Sequence, residues 1–373
     1  MRIGIFSESF APVRNGVATS ILTLRDELNR LGHRVCVFAP RFPGYEDGDP
    51  DIVRFPSFCT WRAPDYPLAI PYIHRFTDKV RELDLQVVHT HTPFMLGMLG
   101  MKVAKRLHLP LVSTNHTQYA EYVHYFPALP TSVSRAAMIG HMRSYYNRCD
   151  GIIVPSSPVK EMLRTYGIDG PVHVIPTGNS LDTSRKPDLR ASLRREHGIP
   201  DDAVVLLYVG RLAREKNLEL LLDAFGRIAP EHPSAMLVLI GGGPWEAECR
   251  AMGAASPHAG RIVFTGSKPR AELAGYYSIG DLFVFPSTTE TQGLVICEAL
   301  GAGLPAVVVR AGGSPEMVED GVDCLLSENE VGEFAAKIDR LLSDPALMAR
   351  MSEAAVRNAA RFTPEEMARR TLE

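Results

Sequence analysis

The sequence predicts an α/β protein with two doubly wound, Rossmann-like domains. Short apolar runs of strand length alternate with stretches of helical spacing, beginning with residues 3–6, a helical stretch and residues 34–38. The same alternation starts again at residues 204–209, after a polar segment that contains a Lys-Pro pair. With 373 residues, of which 45% are hydrophobic and 22% charged, the chain is long enough for two such domains.

Charge is distributed unevenly along the chain. The formal net charge is -3, which does not fit a general nucleic-acid-binding protein. Residues 1–180 hold 19 Lys+Arg and 15 Asp+Glu, a net of +4, and the remainder holds 21 and 28, a net of -7. This asymmetry indicates that only the amino-terminal half faces an anionic surface, although ordinary scatter explains it as well.

Cysteine usage and hydropathy bear on the location of the protein. The six cysteines are scattered, with no C-x-x-C and no cluster with histidine at metal-binding spacing, so we expect reduced thiols and a cytoplasmic protein. The first residues do not resemble a signal peptide, and no stretch reaches the roughly 18–20 apolar residues of a membrane span. We therefore expect any membrane contact to be peripheral.

The first domain opens with a strand, a glycine-containing loop and a helix. Gly16 follows the loop, and the helical spacing of leucines predicts a helix from Ser20 that ends at Gly32. The sequence G-x-G-x-x-G is absent, as is the acidic residue expected after the second strand of a dinucleotide-binding unit. This counts against a nicotinamide enzyme.

Three histidines lie at the carboxyl ends of predicted strands in the first domain. His116 ends a strand whose carboxyl end is the place where doubly wound sheets bind ligands, so it is either a ligand contact or a structural histidine. His89 and His91 point the same way on another strand but lack an evident third metal ligand. The acidic loop 47–51 contains two D-x-D spacings and is interpreted as a solvated turn. We predict no metal site.

Residues 122–149 contain no Asp or Glu and combine basic with aromatic side chains. A helical region of this composition fits a seat on anionic lipid headgroups, and a helix packed on its own domain is the alternative. The residues predicted for this acceptor-side and membrane-facing surface are Tyr119, Tyr122, Arg135, Arg143 and Arg148.

The second domain begins with a strand that ends at Gly210. Arg211 and Lys216 follow directly, and we expect both cations to converge on one diphosphate, Arg as a planar donor fork and Lys as a point charge. A later strand ends at Gly266, with Lys268 close behind it.

Seven residues separate Glu290 from Glu298 in a predicted strand, loop, helix and strand. We expect the amides of Thr291, Gln292, Gly293 and Leu294 to lie in the first turn of the helix, where they suit a phosphate or another anion. A regular helix separates the two glutamates by roughly 12 Å at ~1.5 Å per residue. From the two glutamates alone, an acidic loop and one surface glutamate is an equal alternative.

The stretch from Glu290 to Glu298 resembles the E-x7-E signature of retaining GT-B glycosyltransferases of family 4. The sequences of residues 89–94, 115–119 and 290–294 together resemble the branch that glycosylates diacylglycerol or related membrane lipids, which includes α-glucosyltransferases and α-mannosyltransferases. The resemblance covers essentially the whole chain.

The resemblance implies a role for each matching residue. Glu290 would lie at the donor sugar, Glu298 on the ribose hydroxyls, and His116 against the donor sugar. The expected donor-binding set is Gly16 at the phosphate when the domains close, Gly210, Arg211 and Lys216 at the diphosphate, Gly266 and Lys268 near the base, and Glu290, Thr291, Gln292, Gly293, Leu294 and Glu298. The expected catalytic residues are His116, Glu290, Arg211 and Lys216.

The resemblance also implies the architecture. We expect a GT-B fold in which two Rossmann-like domains face a central cleft. The expected boundaries are 1–178 for the acceptor domain, 179–199 for a linker, 200–360 for the nucleotide-sugar domain and 361–373 for a helix that crosses back. Asn179-Ser180 departs from the family's usual apolar residue and Asp.

The expected function is transfer of a hexose with retention, with glucose from UDP-glucose and diacylglycerol as the favoured substrates. No further cofactor is expected. The protein would act on the cytoplasmic face of the membrane, bound peripherally. The alternatives are a GDP-mannose-dependent mannosyltransferase, a glycosyltransferase with a soluble or polysaccharide acceptor, a sugar-nucleotide epimerase, and a non-catalytic sugar-nucleotide-binding module.

Overall fold

The computed structural model describes residues 1–13, 15–60, 63–70, 80–121, 130–183 and 186–373. The chain folds into two compact units. The first contains Met1–Gly178 together with Pro364–Glu373, and the second contains Asn179–Thr363.

The first unit is built on a parallel sheet of seven strands in the order β3-β2-β1-β6-β7-β8-β9. Its strands are β1 (Arg2–Phe6), β2 (Arg34–Pro40), β3 (Ile52–Phe55), β6 (Val87–Thr90), β7 (Leu111–Thr114), β8 (Gly151–Val154) and β9 (Val172–Val174). A separate antiparallel pair, β4 (Ser57–Thr60) and β5 (Ala63–Ala69), follows β3. Because β1 lies between β2 and β6, the chain reverses direction across the sheet beside β1, the arrangement that defines a doubly wound fold.

Helices cover both faces of this sheet. Among the described residues, the unit includes the helices α1 (Gly16–Arg30), α2 (Met95–Leu107), α3 (Thr131–Tyr146), α4 (Ser157–Thr165) and α12 (Pro364–Leu372). Alternate residues of β2 enter two different cores, Val35 and Val37 with α1 and α12, and Cys36 and Phe38 with α2, α3 and α4. Strands buried on both faces explain the continuous apolar runs of the sequence.

The second unit is built on a parallel sheet of six strands in the order β12-β11-β10-β13-β14-β15. Its strands are β10 (Val204–Val209), β11 (Ala235–Ile240), β12 (Ile262–Gly266), β13 (Leu282–Phe285), β14 (Ala306–Val309) and β15 (Cys324–Ser327). Its helices are α5 (Pro187–Glu196), α6 (Leu218–Ile228), α7 (Glu246–Ala255), α8 (Arg270–Tyr277), α9 (Leu294–Gly301), α10 (Val331–Ser343) and α11 (Pro345–Ala359).

Helix α5 belongs to the second unit because its arginines bind the start of β13. Arg194 is 2% exposed, pairs with Asp281 at 2.8 Å and donates to the carbonyl of Ile279. Arg190 binds the other oxygen of the same carboxylate at 2.7 Å. A buried arginine with this many partners fixes the helix on its sheet.

The structure bears on two local predictions about the first unit. Helix α1 begins at Gly16 and not at Ser20, because Asn15 caps it by accepting a hydrogen bond from the amide of Ala18 at 2.9 Å. The acidic loop 47–51 is a turn as predicted, with residues 48 and 50 exposed and residues 47, 49 and 51 half-buried. Its three carboxylates each pair with an arginine, Asp47 with Arg54, Asp49 with Arg25 and Asp51 with Arg34.

Candidate active site

The second unit places Lys216 against Glu290. Lys216 lies in a 3-10 turn after β10, and Glu290 lies in the loop after the neighbouring strand β13. The ammonium Nζ is 2.5 Å from Glu290 Oε1, and both side chains are 15% exposed. The hydroxyl of Ser287 donates to the same oxygen at 2.8 Å. Burial alone would raise the pKa of Glu290, but Lys216, Ser287 and Arg211 together lower it, so the carboxylate is ionised.

The backbone at Glu290 is held by Gly312 and Gly313, which lie in the loop after β14. The amide of Gly313 donates to the Glu290 carbonyl at 2.8 Å. A Cβ on Gly312, whose φ is +54°, would lie 2.2 Å from that carbonyl oxygen. Only glycine allows this approach, so Gly312 is a positioning residue for Glu290.

Arg211 is close to this pair but does not share its partner. Its guanidinium binds Glu215 within the same loop, and its side chain is 47% exposed. Its charge contributes to the low pKa of Glu290. The structure therefore brings Arg211 and Lys216 to one carboxyl edge of the sheet, and each is held by its own acidic residue.

The loop that carries Arg211 is packed so closely that it requires glycine. A Cβ on Gly210 would lie 2.7 Å from the Tyr208 hydroxyl, and one on Gly241 would lie 1.8 Å from the Gly210 carbonyl oxygen. The ends of β10 and β11 thus meet backbone to backbone. Arg211 follows Gly210 directly at this end of β10.

Glu298 is buried and bound at both carboxylate oxygens. Arg270 donates to Oε1 at 2.8 Å, and the hydroxyl of Tyr277 donates to Oε2 at 2.7 Å. Glu298 is 3% exposed. Burial, with Glu298 nearby, raises the pKa of Tyr277 well above its usual value, so the phenol stays a donor. Sequence reasoning missed Arg270 and Tyr277, which lie on α8, about 20 to 30 residues before Glu298.

The helix after Glu290 begins later than predicted. It starts at Leu294, so Thr291, Gln292 and Gly293 precede it, and the placement of their amides in its first turn is wrong. The reason is that Gly293 has a φ of +92°, a left-handed conformation that does not continue a right-handed helix, so the helix begins only after it. The amide of Leu294 is in the first turn, and Gln292 is buried.

The strand β12 ends at Gly266, which has a φ of +74° and whose carbonyl accepts from the amide of Gly241 at 3.1 Å. Lys268 lies above the ring of Tyr276, with Nζ 4.8 Å from the ring centroid. The side chain is therefore engaged by an aromatic face of its own unit. The contact of Gly266 and Lys268 with a nucleotide base stays a prediction.

In the first unit, the three histidines lie together, with His89 and His91 buried and His116 half-buried. His91 Nδ1 and His116 Nε2 are 2.8 Å apart, and His89 Nε2 is 2.7 Å from the Thr114 hydroxyl. Burial is the main cause that lowers the pKa of His89 to about 4 and that of His116 to about 3, and it lowers that of His91 well below its usual value. At neutral pH these rings are uncharged, so one ring of the His91–His116 pair donates and the other accepts.

Gly16 is the first residue of α1. Its amide precedes the first intrahelical hydrogen bond, which runs from Thr19 to the carbonyl of Asn15. It is therefore a first-turn amide of the kind that suits an anion. Binding of a phosphate there stays a prediction.

Helix α3 presents two different faces. Arg135, Arg143 and Arg148 are exposed on or just after it, and Arg135 pairs with Glu121 at 3.0 Å. Tyr145 and Tyr146 are buried in the core of the unit, as is Met142. Of the two interpretations, packing on its own domain therefore holds for these three side chains. Tyr122 lies outside the described residues, and Tyr119 packs edge-on against Phe94 with ring centroids 5.0 Å apart.

Within the described residues, no group of three or more His, Cys, Asp or Glu side chains is arranged to hold a metal ion. In the same part of the chain, no helix is long and apolar enough to cross a membrane.

Comparison with known proteins identifies the family. Residues 14–183 match the model described as Glycosyltransferase Family 4, and residues 190–358 match Glycosyl transferases group 1. The chain is 33% identical over 356 residues to an alpha-monoglucosyldiacylglycerol synthase of Streptococcus pneumoniae, covering 92% of this chain and 79% of that protein. It is equally similar, 33% over 368 residues, to that of Acholeplasma laidlawii, covering 95% and 91%.

A further relative is a GDP-mannose-dependent alpha-mannosyltransferase of Corynebacterium glutamicum, 31% identical over 87% of this chain and 76% of that protein. The fold matches the solved sucrose-phosphate synthase of Thermosynechococcus elongatus with a TM-score of 0.78 at 23% identity, covering 99% of this chain and 96% of the other. It also matches Anabaena HepE in complex with UDP-glucose, with a TM-score of 0.75 at 19% identity, covering 100% and 98%.

The fold and the sequence matches define a GT-B glycosyltransferase with retention of configuration. The chain belongs to glycosyltransferase family 4 and is a hexosyltransferase. The fold and the family expected from the resemblance are confirmed.

Proposed function

We propose that this protein transfers glucose from UDP-glucose to diacylglycerol in a membrane, with retention, to give an α-glucoside. The observation that carries the proposal is the 33% identity to two alpha-monoglucosyldiacylglycerol synthases across 92% and 95% of this chain. The donor is a nucleoside diphosphate sugar, which the chemistry of the second unit suits.

The second unit supplies two cations and two carboxylates for binding the donor. Lys216 and Arg211 are the groups that would bind the donor diphosphate and stabilise its growing charge as the sugar leaves. Glu290, kept ionised, would accept hydrogen bonds from sugar hydroxyls. Glu298 would accept from the ribose hydroxyls with the oxygen lone pairs that Arg270 and Tyr277 leave open.

The first unit supplies the acceptor side in this proposal. His116, half-buried and neutral, would contact the donor sugar as the family resemblance implies. Arg143 and Arg148 are exposed and would lie on anionic lipid headgroups. The protein would then act as a peripheral enzyme at the membrane surface where its lipid acceptor resides.

A second candidate is transfer of mannose from GDP-mannose. It is favoured by relatives named GDP-mannose-dependent alpha-mannosyltransferases, at 31–32% identity over 87–91% of this chain. A soluble or polysaccharide acceptor, an epimerase and a sugar-nucleotide-binding module are the remaining alternatives.

The test is sugar transfer from UDP-glucose and from GDP-mannose, with and without diacylglycerol in anionic vesicles. We expect UDP release that depends on diacylglycerol and yields a glucolipid. Lys216→Ala should lower it by about 10²–10³-fold, and Lys337→Ala, a surface lysine of the same unit, should leave it unchanged.

Each alternative has its own outcome. Transfer from GDP-mannose alone would support the second candidate, and release that needs a soluble acceptor would overturn the lipid acceptor. Conversion of the donor without any acceptor would indicate an epimerase. Binding of donor without turnover under every condition would overturn the enzymatic assignment of these residues.

A further inference from the structure

Three buried polar atoms without a hydrogen-bond partner among the described residues lie at one edge of the first sheet. They are Glu8 Oε2, His91 Nε2 and Asn115 Oδ1. Glu8 follows β1, His91 follows β6 and Asn115 follows β7. These three strands are neighbours in the sheet, so the three residues sit side by side at its carboxyl edge.

This grouping is unusual for a folded protein. A buried polar atom without a partner has lost its hydrogen bonds to water and gained none, so native structures hold few of them. In the described part of the chain there are six such side-chain atoms, and three belong to this edge. Polar atoms left unsatisfied together at the ligand edge of a doubly wound sheet indicate a site that a ligand completes.

Glu8 is half engaged by the protein itself. Its Oε1 accepts a hydrogen bond from the amide of Leu96, at the start of α2, at 2.5 Å. Its own amide donates to the Thr92 hydroxyl at 3.4 Å. These contacts fix the carboxyl group and leave Oε2 for another donor. Burial is the main cause that raises the pKa of Glu8 to about 7.

The other two residues are fixed in the same way. Asn115 is fully buried, and its Nδ2 donates to the Tyr146 hydroxyl at 3.0 Å. His91 Nδ1 is bound to His116 at 2.8 Å. In each residue one polar atom anchors the side chain and the other is left over.

Aromatic rings lie next to this polar edge. Phe94, two residues after Thr92, packs edge-on against Tyr119 and stacks on His141 with ring centroids 5.8 Å apart. Glu8 is near enough to Tyr119 to add to the rise that burial causes in the pKa of that phenol. Polar side chains next to aromatic rings suit an amphipathic alcohol. Its hydroxyl would bind the carboxylate, and its apolar part would contact the rings.

We propose that Glu8, with His91 and Asn115 beside it, binds the hydroxyl of an amphipathic alcohol of the glycerolipid class and so determines acceptor specificity. The inference rests on the proposed function, in which such an alcohol is the acceptor. Glu8 accepts the hydrogen bond from the acceptor hydroxyl, and it takes no part in donor binding.

The test compares Glu8→Gln and Glu8→Ala with Glu161→Gln, an exposed carboxylate on α4 of the same unit. The KM for diacylglycerol in mixed micelles, the KM for UDP-glucose and acceptor-independent UDP release are measured for each. Because a hydrogen bond to a charged group contributes about 1.5–3 kcal/mol, we expect both Glu8 variants to raise the acceptor KM at least tenfold. The donor KM, the acceptor-independent release and all values for Glu161→Gln should not change.

The pH profile is a second readout. The wild-type acceptor KM should fall as the pH rises through about 7, where Glu8 ionises, and the Glu8→Gln profile should be flat. The titratable groups around Glu8 are Tyr119 and Tyr145, whose pKa values are raised by burial, and the three histidines, whose pKa values are lowered. None of these five changes its charge near neutral pH.

The outcomes separate this inference from the proposed function. Wild-type transfer to diacylglycerol, with an unchanged acceptor KM in both Glu8 variants and only a lower melting temperature, would show that Glu8 merely caps α2 and would overturn the inference alone. Wild-type transfer only to a soluble alcohol would overturn the glycerolipid acceptor and with it the ligand class proposed here. A wild type that transfers to no acceptor would overturn both.

Discussion

The candidate site residues of the two units differ in charge and in hydrogen-bond pairing. In the second unit the candidate residues are charged and paired, as in Lys216 with Glu290 and Arg270 with Glu298. In the first unit they are neutral histidines, a glutamate with a raised pKa and polar atoms without partners among the described residues.

This difference matches the two kinds of ligand proposed. A diphosphate brings negative charge, and cations kept in place by acidic neighbours are ready to receive it without a change of fold. An uncharged alcohol brings only a hydroxyl, and a strongly charged site would hold water more tightly than it would hold that hydroxyl. The contrast predicts that substitutions in the second unit affect turnover and donor affinity, whereas those in the first affect the acceptor.

The largest effect is expected from Lys216→Ala. Loss of the cation should lower kcat by about 10²–10³-fold, the usual loss when one group that stabilises developing charge is removed. It also leaves Glu290 as an unpaired buried carboxylate, which costs about 3–5 kcal/mol of stability. Kinetics and urea denaturation of the same variant measure both effects.

The double variant Lys216→Ala/Glu290→Gln separates these two losses. Removing both charges should restore most of the stability and none of the activity. Wild-type kcat in Lys216→Ala would contradict the assignment of Lys216 to the diphosphate. Arg211→Ala should also lower kcat, with little loss of stability, because its side chain is 47% exposed.

The stability of the first unit should depend on the ionisation of Glu8. Its pKa is about 7 in the folded protein against 4.5 for an ordinary glutamate, so the folded state holds a proton that the unfolded state has lost between these pH values. Stability therefore falls as the pH rises from 4.5 to 7, by about 1.4 kcal/mol per unit and about 3 kcal/mol in all.

Glu8→Gln removes this dependence. Relative to wild type, the variant should gain about 3 kcal/mol between pH 4.5 and 8, read from urea denaturation at several pH values. Glu161→Gln is the control for loss of a carboxylate. Parallel curves for wild type and Glu8→Gln would show that Glu8 is not buried in a way that shifts its pKa.

How much of this was visible in the sequence depends on how far apart the interacting residues are in the chain. The order of strands and helices follows from local apolar periodicity, and Arg211, Lys216, Glu290 and Glu298 stand in two short motifs. Such motifs can be recognised in the sequence because all residues of each motif lie within one strand-loop-helix segment.

The rest depends on neighbours that sequence spacing does not show. Glu8, His91 and Asn115 become neighbours only because β1, β6 and β7 are adjacent in the sheet. The composition of residues 122–149 leaves open whether Tyr145 and Tyr146 face solvent or the core, because composition does not say which face of a helix packs inward, and the structure buries both. The start of α1 does have a local signal, because Asn15 is a good capping residue directly before Gly16.

A smaller effect is expected from substitution of Glu298, which tests its pairing with Arg270 and Tyr277 in the second unit. Glu298→Ala should raise the donor KM by about 10–100-fold with a smaller change in kcat, because hydrogen bonds to a charged group are lost in the ground and transition states alike. Arg270→Ala and Tyr277→Phe should each raise it about tenfold, since Glu298 then loses one of the two groups that orient it.

The control for these variants is Arg250→Ala, an exposed arginine of the same unit that pairs within its own helix. If Arg270→Ala and Tyr277→Phe kept the wild-type donor KM while Glu298→Ala did not, orientation by these two residues would be ruled out. An unchanged donor KM in Glu298→Ala would place the ribose elsewhere.

The smallest effect concerns the basic surface of α3. An arginine near an anionic bilayer contributes about 1 kcal/mol, so Arg148→Gln should weaken binding to anionic vesicles about fivefold at low salt. Arg135→Gln should weaken it less, because Glu121 at 3.0 Å already offsets that charge, and no such pair is recorded for Arg148 within the described residues. Vesicle flotation at two salt concentrations, with neutral vesicles as control, measures both.

Equal affinity for neutral and anionic vesicles would show that these arginines do not bind a membrane. The contrast between the two units would then rest on the acceptor hydroxyl alone.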